Sequence, residues 1–217
     1  MSVPVAGDDV FAAVRRFYDR LDGVRDLLTD GEVTSARLVV NPERMVVAEA
    51  RRTFTYLALF GYHVDAVVAN RLLPEEVVDP WFEAWKDAQR EHLESIAAAF
   101  AGVPVLTADL AADELVGQER LSRFGAVLYS DRSPADRFST TEPLRVDAVG
   151  DALVLSVYLP FTEKADVELA RSNGELLLAV GAHRRAVALP ESLRRREVAA
   201  ARMAGDRLEV EFTTGEA

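Results

Sequence analysis

The hydrophobic rhythm of this chain changes part-way along. Up to about residue 129, apolar side chains recur at helical spacing, in blocks separated by short continuous apolar runs; beyond residue 142 they alternate with polar ones. Residues 9 to 29 place Val10, Val14, Phe17, Leu21, Val24 and Leu28 on one helical face, with Arg and Asp between them. Gly31 ends that helix. Ala36 to Val40 is a short β-branched run, followed by Asn41 as a predicted N-cap and Pro42 at the first position of a helix reaching about Phe60, where Gly61 supplies the stop. Val64 to Ala69 is a second apolar run, too continuous for a half-exposed strand, so these strands are expected to be parallel and covered on both faces. A helix over about 81 to 100, a third strand at Val103 to Leu106 and a closing helix at Glu119 to Tyr129 complete this part. Three short strands form a doubly wound sheet with its edge missing, so further strands are expected before residue 1 or from another chain.

Residues 131–142 are polar, broken by Pro134 and without periodicity, which reads as a linker. After it the period is two: Leu153, Leu155, Val157 and Leu159, then Leu176, Leu178 and Val180, then Leu208, Val210 and Phe212. Gly150-Asp151, Asn173-Gly174 and Gly205-Asp206 are turn signals. About seven short strands in this stretch make a small all-β sandwich. The predicted fold is therefore α/β, a partial doubly wound parallel sheet over residues 1–130, a linker over 131–142 and the sandwich over 143–217.

Composition narrows the partners. A formal net charge of −11 argues against a surface built to neutralise nucleic-acid phosphates or to sit on an anionic membrane. No stretch approaches the roughly 18 continuous apolar residues of a membrane span, so no direct membrane insertion is expected and the chain reads as cytoplasmic. The absence of Cys removes thiolate metal sites and cysteine nucleophiles.

The candidate chemistry is sparse. A phosphate loop needs glycines that let backbone amides reach the phosphates and a Lys beside them, yet the only lysines, Lys86 and Lys164, follow Trp85 and Glu163. His63, His92 and His183 share no ligand spacing, so no zinc site is expected. The carboxylate neighbours Glu75-Glu76 and Asp113-Glu114 serve a helix dipole and solubility better than acid–base catalysis. Arg194-Arg195-Arg196, with Arg184-Arg185, could form an anion patch, but the plainer reading is a solvated loop. Trp81 and Trp85, four apart, could stack a ligand ring; the plainer reading is that they are core.

Residues 27 to 74, LLTDGEVTSARLVVNPERMVVAEARRTFTYLALFGYHVDAVVANRLLP, resemble the C-terminal half of the ArsA family, the arsenical pump-driving and tail-anchored-protein-targeting ATPases. VPVLTADL and ELVGQERLSRFGAVLY continue the likeness. Tyr158-Leu159-Pro160-Phe161, Asn173-Gly174-Glu175-Leu176, His183-Arg184-Arg185 and Gly205-Asp206-Arg207-Leu208 resemble the α-crystallin (small heat-shock) type domain carried by many bacterial ArsA-like proteins. The resemblance implies P-loop NTPase ancestry and an adenine-recognising role for Asn70, with Arg71 at the pocket rim and Pro104 lining the other side of the base. The family's phosphate loop and switch segments would precede residue 1, so the implied protein is a truncated or split ATPase acting with a partner chain. ATP binding is then expected to be weak, and Mg to bind only if that partner supplies the phosphate loop. A homodimer or an ATPase-like partner is expected. The alternative is a stand-alone chaperone or adaptor whose sandwich binds apolar protein clients.

Overall fold

The computed structural model describes residues 8–172 and 174–214. Asn173 of the predicted hairpin, and the outermost ends of the two expected regions, lie outside the described residues. Helix α1 (Asp8–Thr29) precedes a three-stranded parallel sheet of order β1 (Ala36–Val40), β2 (Val64–Leu72), β3 (Val105–Asp109). Helix α2 (Arg44–Leu59) joins β1 to β2, α3 (Glu83–Ala99) joins β2 to β3, and α4 (Gln118–Tyr129) follows β3. Right-handed crossovers along a consecutive strand order place α2 and α3 on one face of the sheet. Their apolar side chains Val47, Ala50, Phe54, Ile96 and Phe100 pack there against Val40, Val67 and Ala69. Strand β2 is buried from Val64 to Ala69, as its continuous apolar run requires.

Several local expectations shift. Helix α2 starts at Arg44, with Glu43 as N-cap, because the Glu43 amide donates to the Asn41 carbonyl (2.7 Å) in a tight turn that ends β1 first. Gly61 stops it as expected, at φ +86. Strand β3 lies two to three residues later than the pattern suggested. Trp81 and Trp85 are 69% and 55% exposed, not core. The reason is position: Gln89, one turn further on, already reaches the carboxyl end of β2, so Trp81 and Trp85 stand beyond the sheet.

Residues 131–142 contain no helix or strand, yet they are strapped to the amino end of the sheet. Arg37 donates to the carbonyls of Pro134 (2.8 Å) and Asp136 (2.7 Å) while its guanidinium pairs with Asp65 at 3.1 Å and lies 4.2 Å from the Phe138 ring centre. The Phe138 amide donates to Asp65 (3.2 Å), and His63 Nε2 lies 2.6 Å from the Ser139 carbonyl. Asp65 is wholly buried. Burial alone would raise its pKa, but hydrogen bonds from Arg37, Phe138 and Ser35, with the Arg37 charge, hold it below the ordinary value.

Among the described residues the β region has seven strands: β4 (Leu144–Val149), β5 (Ala152–Tyr158), β6 (Val167–Ser172), β7 (Glu175–Val180), β8 (His183–Ala188), β9 (Glu197–Ala204) and β10 (Arg207–Thr213). They form a four-stranded sheet β4-β5-β10-β9 and a three-stranded sheet β6-β7-β8, all antiparallel. The alternating positions read from the sequence make the core between them: Leu155, Val157, Leu159, Leu176, Leu178, Val180, Leu208, Val210 and Phe212 are buried together. A short helix α5 (Glu191–Arg194) closes one end with Leu193 inside. The two parts share a joint. Leu59 of α2 enters the sandwich core, and Tyr158 and Phe161 pack on Phe54 and Phe100 with ring centres 5.4 to 6.2 Å apart. Thr55 Oγ1 donates across it to the Pro160 carbonyl at 2.6 Å.

Candidate functional site

In an open parallel sheet, ligand-binding groups gather beyond the carboxyl ends of the strands. Here that pole carries a local irregularity. Asn70 pairs with Ala108 and Leu72 with Asp109, so Arg71 is bulged out of the ladder, at φ +62. Left-handed backbone at a residue with a Cβ costs on the order of 1 to 2 kcal/mol and persists only when its surroundings hold it. Gln89 of α3 does the holding: its amide Nε2 donates to the Arg71 carbonyl (3.2 Å) and its Oε1 accepts from the Leu73 amide (2.9 Å). The Leu110 amide donates to the Leu72 carbonyl at 2.7 Å, which carries the ladder past the bulge.

Asn70 alternates with Val68 and therefore projects from the sheet face opposite α2 and α3, on the same side as its partner Ala108. Ala108 lines a cleft of about 390 Å³ between the end of β3 and α4, whose other walls include Thr107, Asp109, Leu110, Arg120 and Phe124. Arg120 is fixed there by Asp113 at 2.7 Å and by the Glu114 carbonyl at 2.9 Å. Among the described residues no group of three or more His, Asp or Glu side chains is placed to hold a metal ion.

The structure brings Asn70 and Arg71 together at this pole but not Pro104. The Pro104 carbonyl accepts from the Val67 amide (3.0 Å) at the amino end of β3. Four ladder positions separate Pro104 from Ala108, the partner of Asn70, or about 13 Å of strand. Pro104 instead borders the strap, beside Gly102, Phe138 and Ser139. A residue without an amide hydrogen belongs at the start of a strand, which was the available signal. Asp109, Leu110 and Gln89 are the residues the sequence reading missed at the pole. Elsewhere, of the arginines considered as an anion patch, Arg194 donates to the Leu189 carbonyl at 2.8 Å, Arg196 to the Asp151 carbonyl at 2.6 Å and Arg185 to the Leu59 carbonyl, while Arg195 pairs with Glu191 at 2.9 Å. Burial and the nearby Arg25 charge lower the Arg185 pKa to about 10.

Comparison with known proteins decides the family. Residues 2–130 match the anion-transporting ATPase family and residues 150–212 match the HSP20-like domain found in ArsA. The chain belongs to the ArsA family. A protein of Aquifex aeolicus (strain VF5) named "Putative arsenical pump-driving ATPase 1" is 34% identical over 95% of this chain and 53% of its own length. Proteins named "Putative arsenical pump-driving ATPase" stem from Prosthecochloris vibrioformis, 32% identical over 86% of the chain and 46% of the relative, and Chlorobaculum tepidum, 31% identical over the same shares. The chain thus spans about half the length of these relatives. Within this ArsA-family chain the HSP20-like part sits at the amino-end pole of the sheet, against Leu59, Phe100 and the strap, and the Asn70 bulge lies at the opposite pole. No helix among the described residues is long and apolar enough to cross a membrane.

Proposed function

We propose that this chain supplies the base-side half of an ArsA-type nucleotide site, with the groups that hold the phosphates and Mg coming from a second, ATPase-like polypeptide. The observation that carries the reading is the clamped bulge, which sets Asn70 and Arg71 at the carboxyl end of β2 beside the cleft between β3 and α4. Asn70 offers an amide that can both donate and accept, the pattern needed to read the edge of an adenine. Arg71 stands at the rim. Neither lysine follows a glycine, so the 217 residues hold no P-loop lysine for a β or γ phosphate. Base contacts without phosphate ligands correspond to affinities no better than about millimolar, around 4 kcal/mol.

Calorimetric titration with adenosine and with ATP tests this. Similar, roughly millimolar binding of both, weakened by Asn70→Ala, is expected, with no phosphate release by the chain alone. Phosphate release should appear on mixing with the N-terminal half of the Aquifex aeolicus relative. Turnover by the isolated chain that responds to Asn70→Ala would refute the reading, as would equal binding by the variant.

A second reading rests on the outer face of β6-β7-β8. There Ala170, Ala179 and Ala186 flank the half-exposed Leu177 in a groove of about 390 Å³. Small side chains around one large apolar residue suit an extended apolar client segment. If the chain is an adaptor, Leu177→Asp abolishes suppression of client aggregation, while Asn70→Ala leaves it intact.

A further inference from the structure

We propose that Phe161, which belongs to the HSP20-like part, is a positioning residue for the Asn70 pole of the sheet and acts on it through α3. The inference rests on the base-side reading of that pole and names what holds it in place. Helix α3 is anchored unevenly. Of its residues only Ile96 is fully buried, and Phe100 follows as its buried C-cap. The half that approaches the carboxyl ends of the strands is partly or wholly exposed, and its Gln89 side chain meets the bulge there. The attitude of the helix is therefore set where its last turn is seated.

That seat is built from both parts of the chain. The Phe161 ring stands edge-on to Phe100 with centres 5.4 Å apart. The Arg51 guanidinium, whose Nη2 donates to Ser95 Oγ of α3 at 3.0 Å, lies 5.7 Å from the centre of the same ring. Phe161 is held there against its own backbone, at φ +60. A bulky residue stays left-handed only where its neighbours over-determine it, and Thr55, donating to the preceding Pro160 carbonyl, fixes the turn. Helix α3 thus lies between two strained residues that carry a Cβ: Arg71, held by Gln89, and Phe161, packed on Phe100. Gln89 stands about 16 Å along the helix from Phe100. A tilt of about 5° at the seat moves Gln89 by roughly 1.5 Å, more than its 3.2 Å bond to the Arg71 carbonyl tolerates. Loss of the Phe161 ring therefore reaches Asn70 without touching the cleft.

Backbone-amide hydrogen exchange, read residue by residue, tests this. The Leu73 amide, bonded to Gln89 Oε1 at 2.9 Å, reports the clamp; the Val67 amide, bonded to the Pro104 carbonyl at 3.0 Å toward the other pole, reports general loosening. Phe161→Gly keeps the turn, since glycine accepts φ +60, and removes the ring. It should speed Leu73 exchange on the order of tenfold, leave Val67 within about twofold and weaken adenosine binding about threefold. Phe161→Tyr should keep the parent values. Leu59→Ala, which opens the same joint through α2 and the sandwich core, should leave Leu73 exchange unchanged. Unchanged Leu73 exchange in Phe161→Gly, an equal rise at Val67, a rise as large in Leu59→Ala, or Phe161→Tyr matching Phe161→Gly would each overturn the proposal. Adenosine that binds the parent and Phe161→Gly equally would do the same. If the parent binds no adenosine, the base-side reading fails and the exchange comparison alone decides whether Phe161 positions the pole.

Discussion

The sandwich and the parallel sheet treat their large apolar side chains in opposite ways. In the sandwich the alternating residues close on each other between two sheets, with Phe212, Leu176, Leu178 and Val157 almost wholly buried. In the α/β part only one face is fully covered. Val39 of β1 is 62% exposed on the other, and Met45, Val78, Trp81 and Trp85 are open at the carboxyl-end pole. A period of two specifies a unit that can satisfy itself, because each strand's second face is meant for water. A continuous apolar strand such as β2 needs cover from both sides, and its neighbours' free surfaces mark where such cover is in short supply.

The sharpest way to test that contrast is to remove one large ring from each region. Phe212→Ala leaves a cavity in a closed core and should cost about 3 to 5 kcal/mol of unfolding free energy in urea. Trp85→Ala, at the open pole, should cost under about 0.5 kcal/mol. Equal costs would show that Trp85 is covered in solution.

The joint between the regions should respond nearly as strongly. Arg37→Met leaves the Asp65 carboxylate buried without its partner and releases the strap carbonyls of Pro134 and Asp136. Breaking a buried pair from one side costs about 3 to 5 kcal/mol. Limited proteolysis should then cut within residues 131–142, a stretch protected in the parent chain by its hydrogen bonds to Arg37 and Asp65. Cleavage there at the same rate in both proteins would show that Arg37 does not hold the strap.

Legibility followed the same division. The alternation at Leu153 to Leu159, Leu176 to Val180 and Leu208 to Phe212 named the sandwich core because period two leaves no choice of face. The parallel pairing of the three strands and the helices between them were also readable. Three things were not. The Arg71 bulge depends on Gln89, 18 residues away, so no local pattern announces it. Pro104 was set beside the base by the resemblance alone, although its missing amide hydrogen fits the start of a strand, where it stands. The strap looked like a free linker because its anchors, Arg37, His63 and Asp65, lie far upstream in sequence.

Asp65 also makes the joint sensitive to acid. Its folded pKa lies below the ordinary carboxylate value, so its stabilisation is present above the unfolded pKa and disappears as pH falls through the folded one. The stability difference between the parent chain and Asp65→Asn, measured by urea unfolding, should therefore be constant near neutrality. It should shrink on going from about pH 5 toward about pH 2. A difference that stays flat over that range would mean the carboxylate gains nothing from Arg37 and the strap.

The smallest effect carries the most information about the candidate site. Arg71 is exposed and its side chain contributes no packing that stability needs, but its backbone sits at φ +62. Glycine adopts that conformation without the Cβ penalty, although it gains conformational freedom in the unfolded chain. The two terms oppose, and because left-handed strain costs on the order of 1 to 2 kcal/mol against about 0.5 to 1 for the unfolded-state term, Arg71→Gly should stabilise by about 0.5 to 1 kcal/mol. Gln89→Leu should act the other way. It frees the Arg71 carbonyl and the Leu73 amide that the side chain now satisfies, at about 1 to 3 kcal/mol if both stay dry and less if water reaches them. In the double variant the cost of Gln89→Leu should fall, since a glycine at the bulge can relax once its clamp is gone. Thermal unfolding of the four proteins forms a closed cycle. Strict additivity would sever the bulge from its clamp, whereas a coupling of about 0.5 kcal/mol or more ties them into one device that strains the sheet where Asn70 meets the cleft.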